Sequence, residues 1–308
     1  MSPAKIVVIG SFNADLTTYM KRMPKPGETV SGDRFVIGPG GKGSNQAVAA
    51  ARLGADVTFV GRIGDDLFGD MALDFWKQED INTEFVIKDR NHATGVAPIF
   101  VDETAQNSIV VALGANLNIQ PSDIEAAEKK IADADVVIVQ LEINYSMVTF
   151  ALEIAKKNGV KTILNPAPAG KLMEKTIKLA DFITPNETEL EVLSGKEVHG
   201  MANFKEIARS LLNRDDQTVI ITLGSNGAMF VHNKNSGIIA GHEVDAVDTT
   251  GAGDSFNGSF AVAIGEKKGL EESLNFANAA AALCVTKYGT APSMPYRVDV
   301  EKFLRQPN

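Results

Sequence analysis

The order of apolar segments constrains the fold of this chain more than any other feature. Short β-branched runs alternate with segments of helical periodicity. Within the runs, apolar and polar residues do not alternate. Such runs are typical of strands covered by helices on both faces. The pattern predicts strands at 6–9, 57–60, 136–139, 162–164, 182–184 and 219–222, and helices at 44–53, 66–78, 122–132, 146–157, 203–212 and 270–285. It therefore predicts an α/β fold around a mostly parallel sheet.

Two stretches, 19–37 and 94–113, contain strand-like runs with no helix between them. They predict a small antiparallel layer, made by approximately 14–38 and 93–113 within a single domain spanning 1–308. Ordinary edge strands remain an alternative. In an enzyme such a layer closes over the substrate and excludes water.

Composition and charge narrow the function classes. The formal net charge of −9 argues against a nucleic-acid binder, which carries a basic face. A lone cysteine, Cys284, cannot form an intrachain disulfide, which favours a reducing compartment, and its apolar surroundings predict a packing role. The apolar start is too short for a signal peptide, and no run reaches the length of a membrane span. We therefore expect a cytoplasmic protein without membrane contact.

The segment Asp248-Thr249-Thr250-Gly251-Ala252-Gly253-Asp254 leads into a helical pattern at 255–264. Its small residues let the backbone curl, so that consecutive amides and the helix N-terminus bind a phosphoryl group. Asp254 then lies close enough to take a proton from an incoming hydroxyl, a role that contributes about 10²–10⁴ in rate. The alternative is that Asp254 only caps the helix.

A second glycine-rich segment runs from Gly38 to Ala47. It matches G-x-G-x-x-G at Gly38, Gly40 and Gly43, but it lies well inside the chain rather than after the first strand, which argues against a dinucleotide site. It is not a phosphate-binding P-loop either. The segment favours a close backbone approach to a ligand, with Lys42 and Asn45 as polar contacts, or else a tight turn with a solvated lysine.

Polar side chains also follow the predicted strands. Asn13 and Asp15 follow the first strand, Glu142 follows the run at 136–139, and Asn186 and Glu189 follow the run at 182–184. Ligands of open parallel sheets bind at the carboxyl ends of strands, where such groups suit a polyol or hydrated magnesium. Each residue is alternatively a helix cap or a surface acid.

Together the two glycine segments resemble the signatures of the PfkB-type carbohydrate kinases, the ribokinase-like family. The resemblance extends along nearly the whole chain, at 10–15, 26–29, 40–47, 114–116, 140–142, 165–169, 184–189, 220–224 and 247–254. It implies a three-layer α/β/α sandwich with a β lid, and dimerisation through that lid.

The resemblance also implies roles for matching residues. Asp254 is the implied catalytic base, with Gly251, Ala252 and Gly253 as the anion hole. The implied sugar-binding set, completed by Asp254, is Asn13, Asp15, Gly40, Gly41, Lys42, Asn45 and Glu142. The implied ATP set is Asn186, Thr222, Gly224, Gly227, Gly253 and Asn278, with Glu189 linked to Mg²⁺. Segments similar to the potassium loop of the family contain Asp248, Thr250, Cys284, Lys287, Gly289 and Ser293, where backbone carbonyls supply many ligands.

The implied reaction is phosphorylation of D-ribose at its 5-hydroxyl by ATP, with Mg²⁺ and an activating K⁺. Residues 16–19 and 95–100 are more similar to kinases of 2-deoxyribose, whereas the polar Asn13 favours ribose. The alternatives are therefore a 2-deoxyribose or nucleoside kinase, or a catalytically silent sugar-binding regulator.

Overall fold

The computed structural model describes residues 2–104, 106–198 and 200–305, and strands and helices alternate along most of them. The strands are β1 (Lys5–Ile9), β2 (Asn13–Tyr19), β3 (Arg34–Gly40), β4 (Asp56–Gly64), β5 (Asn82–Asp89), β6 (Gly95–Val101), β7 (Asn107–Ile109), β8 (Val136–Val139), β9 (Lys161–Leu164), β10 (Phe182–Ile183), β11 (Thr218–Thr222), β12 (Ala228–His232) and β13 (Ser236–Ile239).

The helices pack around these strands. They are α1 (Lys42–Arg52), α2 (Leu67–Gln78), α3 (Pro121–Ala126), α4 (Glu128–Ala132), α5 (Tyr145–Lys157), α6 (Glu174–Leu179), α7 (Glu187–Ser194), α8 (Met201–Leu211), α9 (Ala252–Gly265), α10 (Leu270–Cys284) and α11 (Arg297–Leu304).

Within the described residues, nine strands form one large sheet in the order β13-β12-β11-β10-β9-β8-β1-β4-β5. All neighbours from β11 to β5 are parallel, and at the other edge β12 pairs antiparallel with both β11 and β13. Strand β1 pairs with β4 on one side and with β8 on the other, so the winding of the chain reverses there. The carboxyl ends beside such a reversal are where open α/β sheets bind ligands.

The apolar strands bury both faces, as their sequence predicts. In β1, Ile6 and Val8 pack into one apolar core, while Val7 and Ile9 pack into another on the opposite face. The first core includes residues of α1, α9 and α10, and the second includes residues of α5 and α8. The three-layer α/β/α arrangement is confirmed.

A second, four-stranded sheet has the order β3-β2-β6-β7 and forms the small layer expected from the irregular stretches. Its outer pairs are antiparallel, but the central pair of β2 and β6 is parallel, which corrects the expectation of a purely antiparallel layer. Strand β2 lies mostly within the predicted lid stretch 14–38, but its strand conformation was not predicted, because it follows β1 after a turn of only three residues. We refer to this sheet as the lid sheet.

One predicted helix is also corrected. The helical pattern at 122–132 is divided at Ala127 into α3 and α4. The capping box at its start is formed by Gln120 and Asp123, because Pro121 takes the first helical position, where its missing N–H costs nothing. Among the described residues, no helix is long and apolar enough to cross a membrane.

Candidate active site

The start of α9 lies against the start of α1, and a glycine permits this close approach. A Cβ atom on Gly258 would lie 2.5 Å from the backbone oxygen of Gln46 and 2.7 Å from Cβ of Ala49. Any larger residue at position 258 would push the two helices apart. The contact brings Asp254, one turn earlier in α9, next to the first turn of α1.

Asp254 is buried and receives one side-chain amide on each carboxylate oxygen. Asn45 donates from Nδ2 to Oδ2 over 2.9 Å, and Gln46 donates from Nε2 to Oδ1 over 2.9 Å. The N-cap position of α9 is held by Gly251, with φ of 82°, and no side chain caps the helix. Asp254 is therefore not the helix cap, and its carboxylate is oriented by α1.

Glu142 is the centre of a second polar cluster, at the point where the winding of the sheet reverses. Its Oε2 accepts hydrogen bonds from Ser11 Oγ at 2.5 Å, from the backbone N–H of Lys42 at 2.8 Å and from Asn13 Nδ2 at 3.3 Å. Because β1 and β8 are paired neighbours, the residues that follow each strand converge here. Three segments that are distant in sequence thus meet on one carboxylate.

Asn13 is fixed from its other side by Asn116, which is fully buried. The Nδ2 of Asn116 donates to Asn13 Oδ1 at 3.0 Å and to the backbone oxygen of Phe12 at 2.8 Å. Its Oδ1 accepts the backbone N–H of Phe12 at 3.0 Å. The amide of Asn13 therefore has one defined orientation, with Nδ2 towards Glu142.

Lys42 supplies positive charge to a strongly acidic site. Burial acts to lower the pKa of its ammonium group, but the nearby negative charges of Asp254, Glu142 and Glu189 outweigh it and raise the pKa. Lys42 therefore stays protonated and offsets part of the charge of these carboxylates.

Asp15 contacts the loop that follows α10. Thr290 Oγ1 lies 2.9 Å from Asp15 Oδ2 and 3.1 Å from the backbone oxygen of Pro39. Burial raises the pKa of the Asp15 carboxyl to about 7, and the negative charges of Glu142 and Asp254 add to the rise, while the Thr290 hydroxyl opposes it. Near neutral pH this carboxyl therefore exists in both protonation states.

A cavity of about 680 Å³ opens on the other side of the α9 N-terminus. Its lining residues include Ala252 and Gly253 of α9, Phe256 one turn later, and the apolar residues Val244 and Ala281. The size and apolar lining are those of a small-molecule site. Of the predicted ATP set, Thr222, Gly224, Gly227, Gly253 and Asn278 line the cavity. Asn278 donates from Nδ2 to the backbone oxygens of Ile239 and Ala240, and so ties the loop after β13 to α10.

Asn186 and Glu189 do not line this cavity but form the capping box of α7. Asn186 Oδ1 accepts the backbone N–H of Glu189, and Glu189 Oε2 accepts the backbone N–H of Asn186. Burial raises the pKa of Glu189. The described residues contain no group of three acidic, His or Cys side chains that would hold a metal ion. A single carboxylate fits a Mg²⁺ whose other ligands are water and substrate phosphates, but not a cage made of protein ligands.

The predicted potassium loop is drawn together by Asp248. Its Oδ1 accepts the backbone N–H of Thr250 at 2.9 Å and its Oδ2 accepts the backbone N–H of Gly289 at 3.0 Å. Cys284 is buried and shares a hydrogen bond with Ser293 Oγ at 3.0 Å, and burial raises the pKa of its thiol. Lys287 follows on the turn after α10. Backbone carbonyl oxygens of these two segments are hard ligands, which suit a monovalent cation such as K⁺. The thiol of Cys284 is a soft ligand and does not suit it.

Several residues of the site were not predicted from the sequence: Ser11, Gln46, Asn116, Gln140, Asn165 and Thr290. One signal was available for Gln46, because Ser44, Asn45 and Gln46 are consecutive polar residues in a helix otherwise rich in Ala and Val. Ser11 and Gln140 lie one or two residues beyond predicted strands. Nothing local singles out Thr290, whose partner is 275 positions away.

Comparison with known proteins identifies the relatives of this chain. The family model for pfkB family carbohydrate kinases matches residues 3–297. The chain is 44% identical over 299 residues to the ribokinase of Haemophilus influenzae, covering 97% of this chain and 98% of that protein. It is 40% identical over 299 residues to the deoxyribokinase of Salmonella typhi, covering 97% of each. The structure of Arabidopsis thaliana ribokinase complexed with ribose and ATP superposes with a TM-score of 0.91 at 34% identity and covers 100% of both chains.

Proposed function

The chain belongs to the pfkB family of carbohydrate kinases, and from this premise we propose that it transfers the γ-phosphoryl group of ATP to the 5-hydroxyl of D-ribose. The product is D-ribose 5-phosphate. The similarity to ribokinases over nearly the full length, and to a ribokinase complexed with ribose and ATP, supports both substrates.

The observation that carries the proposal is the position of the α9 N-terminus between the cavity and the polar cluster around Glu142. Gly253 lines the cavity that suits a nucleotide, while the next residue, Asp254, contacts Asn45 on the side of the Glu142 cluster. A phosphoryl donor and a hydroxyl acceptor bound on these two sides would meet at the first turn of α9. Positioning and electrostatics supply most of the catalysis of phosphoryl transfer.

In the proposed step, the 5-hydroxyl oxygen of the sugar attacks the γ-phosphorus of ATP. The bond between this phosphorus and the β,γ-bridging oxygen breaks, and ADP leaves with the electron pair. The hydroxyl proton passes to the carboxylate of Asp254. Gly251, Ala252 and Gly253 begin a helix that no side chain caps. The helix dipole and the amides of Gly251 and Gly253 would stabilise the transferring phosphoryl group, whereas the N–H of Ala252 donates to the backbone oxygen of Thr249 over 3.3 Å.

The sugar would be held on the opposite side by Asn13, Asp15, Lys42, Asn45 and Glu142. Together these residues offer both hydrogen-bond donors and acceptors, which suits the hydroxyl groups of a polyol because each hydroxyl can donate and accept. Gly40 and Gly41 let the backbone approach this region, since a Cβ on Gly41 would lie 2.6 Å from the backbone nitrogen of Asn13.

Two cations belong to the proposal. Glu189 would help to hold Mg²⁺ through its water shell, and Mg²⁺ offsets phosphate charge when bound. K⁺ would be held by the loop that Asp248 closes, through backbone carbonyls near Thr250, Lys287, Gly289 and Ser293. Both proposed cation sites rest on the ligand chemistry of these residues.

The second candidate is 2-deoxy-D-ribose, because a deoxyribokinase is among the similar proteins at 40% identity. Asn13 favours ribose, since its oriented amide would lose a partner with the deoxy sugar. A pocket built to hydrogen-bond a hydroxyl rejects the analogue that lacks it by about 10⁴-fold or more.

The test is ADP release with ATP, Mg²⁺ and K⁺, comparing D-ribose, 2-deoxy-D-ribose, adenosine and fructose 6-phosphate. We expect the highest kcat/KM for D-ribose. A preference for 2-deoxy-D-ribose or adenosine would contradict D-ribose as the acceptor but would leave the proposed phosphoryl transfer intact. The absence of ADP release with every acceptor would contradict the proposed reaction itself.

We also propose that two copies associate through the lid sheet, in the reducing environment of the cytoplasm. Phe35 and Ile37 project from the same face of edge strand β3 with 58% and 48% of their surfaces exposed, and Ile109 and Val110 are exposed near the opposite edge. Sedimentation equilibrium of the full chain and of the variant Ile37→Glu tests this association. A wild-type chain that stays monomeric at micromolar concentration would contradict it.

A further inference from the structure

Gln46 makes a polar contact with the predicted base without belonging to the sugar-binding or ATP-binding sets. It is fully buried in the first turns of α1, and both its amide N–H groups and its carbonyl oxygen are engaged. Nε2 donates to Asp254 Oδ1 at 2.9 Å and to Asn165 Oδ1 at 3.0 Å. Oε1 accepts from Gln140 Nε2 at 2.7 Å. These three bonds fix the orientation of the amide.

The partners of Gln46 come from the rigid centre of the sheet. Gln140 directly follows β8, and Asn165 directly follows β9 and donates to the backbone oxygen of Thr184 at 3.0 Å. Asp254 Oδ1 is therefore connected through Gln46 to the carboxyl ends of two buried strands. Among the residues that the structure describes, Oδ2 receives only the amide of Asn45, which lies on the side of the predicted sugar site.

We propose that Gln46 is a positioning residue for phosphoryl transfer, which holds Oδ1 of Asp254 against the sheet so that Oδ2 faces the acceptor hydroxyl. The inference rests on the proposed function of Asp254 as the base. The N–H group of Gln46 is a donor suited to a carboxylate oxygen, and its removal would leave Oδ1 of Asp254 without that donor.

A purely structural role for a buried amide gives a different expectation, and Gln217 provides the matched control. Gln217 is equally buried, its Nε2 donates to the backbone oxygens of Ile177 and Ala180, and its Oε1 accepts the backbone N–H of Asn213. Gln46 and Gln217 are thus both buried and each make three hydrogen bonds, but only Gln46 contacts Asp254.

The experiment compares Gln46→Met, Gln46→Glu and Gln217→Met by the pH dependence of kcat with ATP, Mg²⁺, K⁺ and the best acceptor sugar. For Gln46→Met we expect kcat at neutral pH to fall about 10- to 100-fold, with the acidic limb of the profile moved up by about one to two pH units. The sugar KM should stay within about threefold. In Gln46→Glu, two adjacent carboxyl groups share a proton, so kcat should recover as the pH rises from 7 to 9.

Gln217→Met should lower the melting temperature and leave both the pH profile and kcat unchanged. The inference is overturned if the acidic limb of Gln46→Met or of the nearly isosteric Gln46→Glu coincides with that of the wild type. Should Gln46→Met fail to fold, Gln46→Glu decides alone, because it preserves volume and shape. Full activity of Asp254→Asn would instead reject the proposed base, so the two failures are distinguishable.

Discussion

Asn45 donates a hydrogen bond from Nδ2 to Oδ2 of Asp254 over 2.9 Å, although 209 positions separate the two residues. The other end of the same amide, Oδ1 of Asn45, is buried and has no hydrogen-bond partner within the described part of the chain. Buried acceptors without a partner are costly, so this oxygen is suited to receive a donor from a ligand. A sugar hydroxyl bound beside Asp254 would supply that donor.

Replacement of Asn45 by Leu should therefore weaken the binding of the sugar more than the binding of the nucleotide. Loss of a buried hydrogen-bonding amide at a ligand costs about 1–3 kcal/mol, which corresponds to a rise of roughly 10- to 100-fold in the KM for D-ribose. The KM for ATP should change little, because Asn45 does not line the cavity. Steady-state kinetics with each substrate varied in turn gives both values, and an unchanged sugar KM would remove Asn45 from the sugar site.

Asp254→Asn should separate catalysis from binding. The amide cannot accept the hydroxyl proton, so we expect kcat to fall by about 10²–10⁴, the range for loss of a general base. Binding of D-ribose, measured by calorimetry, should remain within a few-fold of wild type. Asp299→Asn, in the first turn of α11, is the matched control for an acid at a helix start and should keep full activity. Retained turnover in Asp254→Asn would contradict the assignment.

Asp15 should make the stability of the sugar-free protein depend on pH. Burial raises the pKa of its carboxyl to about 7 in the folded chain, so the folded state binds a proton that the unfolded state has already lost. The contribution of this group to stability is present at acidic pH and is lost as the pH rises through 7. The Asp15→Asn variant carries no such group and should not show this loss.

The measurement is the free energy of unfolding of both proteins by denaturant between pH 5.5 and 8.5. The variant should gain about 2 kcal/mol on the wild type between pH 5.5 and 8, most of it below pH 7, with no further gain above about pH 8. Parallel curves for the two proteins would show that the carboxyl of Asp15 ionises at its ordinary pH.

Asn278→Ala should impair the nucleotide site alone. Its amide holds the backbone oxygens of Ile239 and Ala240 and so fixes the loop that lines the cavity. We expect a roughly tenfold or greater rise in the KM for ATP and little change in that for the sugar. Ser273→Ala removes another buried polar group of α10, whose Oγ has no partner among the described residues, and should leave both KM values unchanged. Equal effects of the two changes would indicate a general loosening of α10.

The local chemistry of the chain predicted much of the fold. The runs in β1, β4, β8, β9 and β11 are mostly apolar and do not alternate with polar residues, a pattern typical of strands whose two faces are both covered. This pattern alone leads to the parallel sheet between two helical layers. The strand pairing of the lid sheet was not predictable in this way, because a period of two specifies which face is buried but not which neighbour pairs in which direction.

In the site, too, some features follow from the local sequence and others depend on the tertiary structure. Small residues before Asp254 and at the start of α1 follow from the need for tight backbone curvature, so the sequence itself led to the proposed anion hole, to Asp254 as the proposed base and to Asn45 as a proposed contact. The contacts of Ser11 with Glu142, of Gln46 with Asp254 and of Thr290 with Asp15 span 131, 208 and 275 positions. Only the tertiary structure decided these, because the carboxyl ends of parallel strands and the helix starts beside them converge in space whatever their separation along the chain.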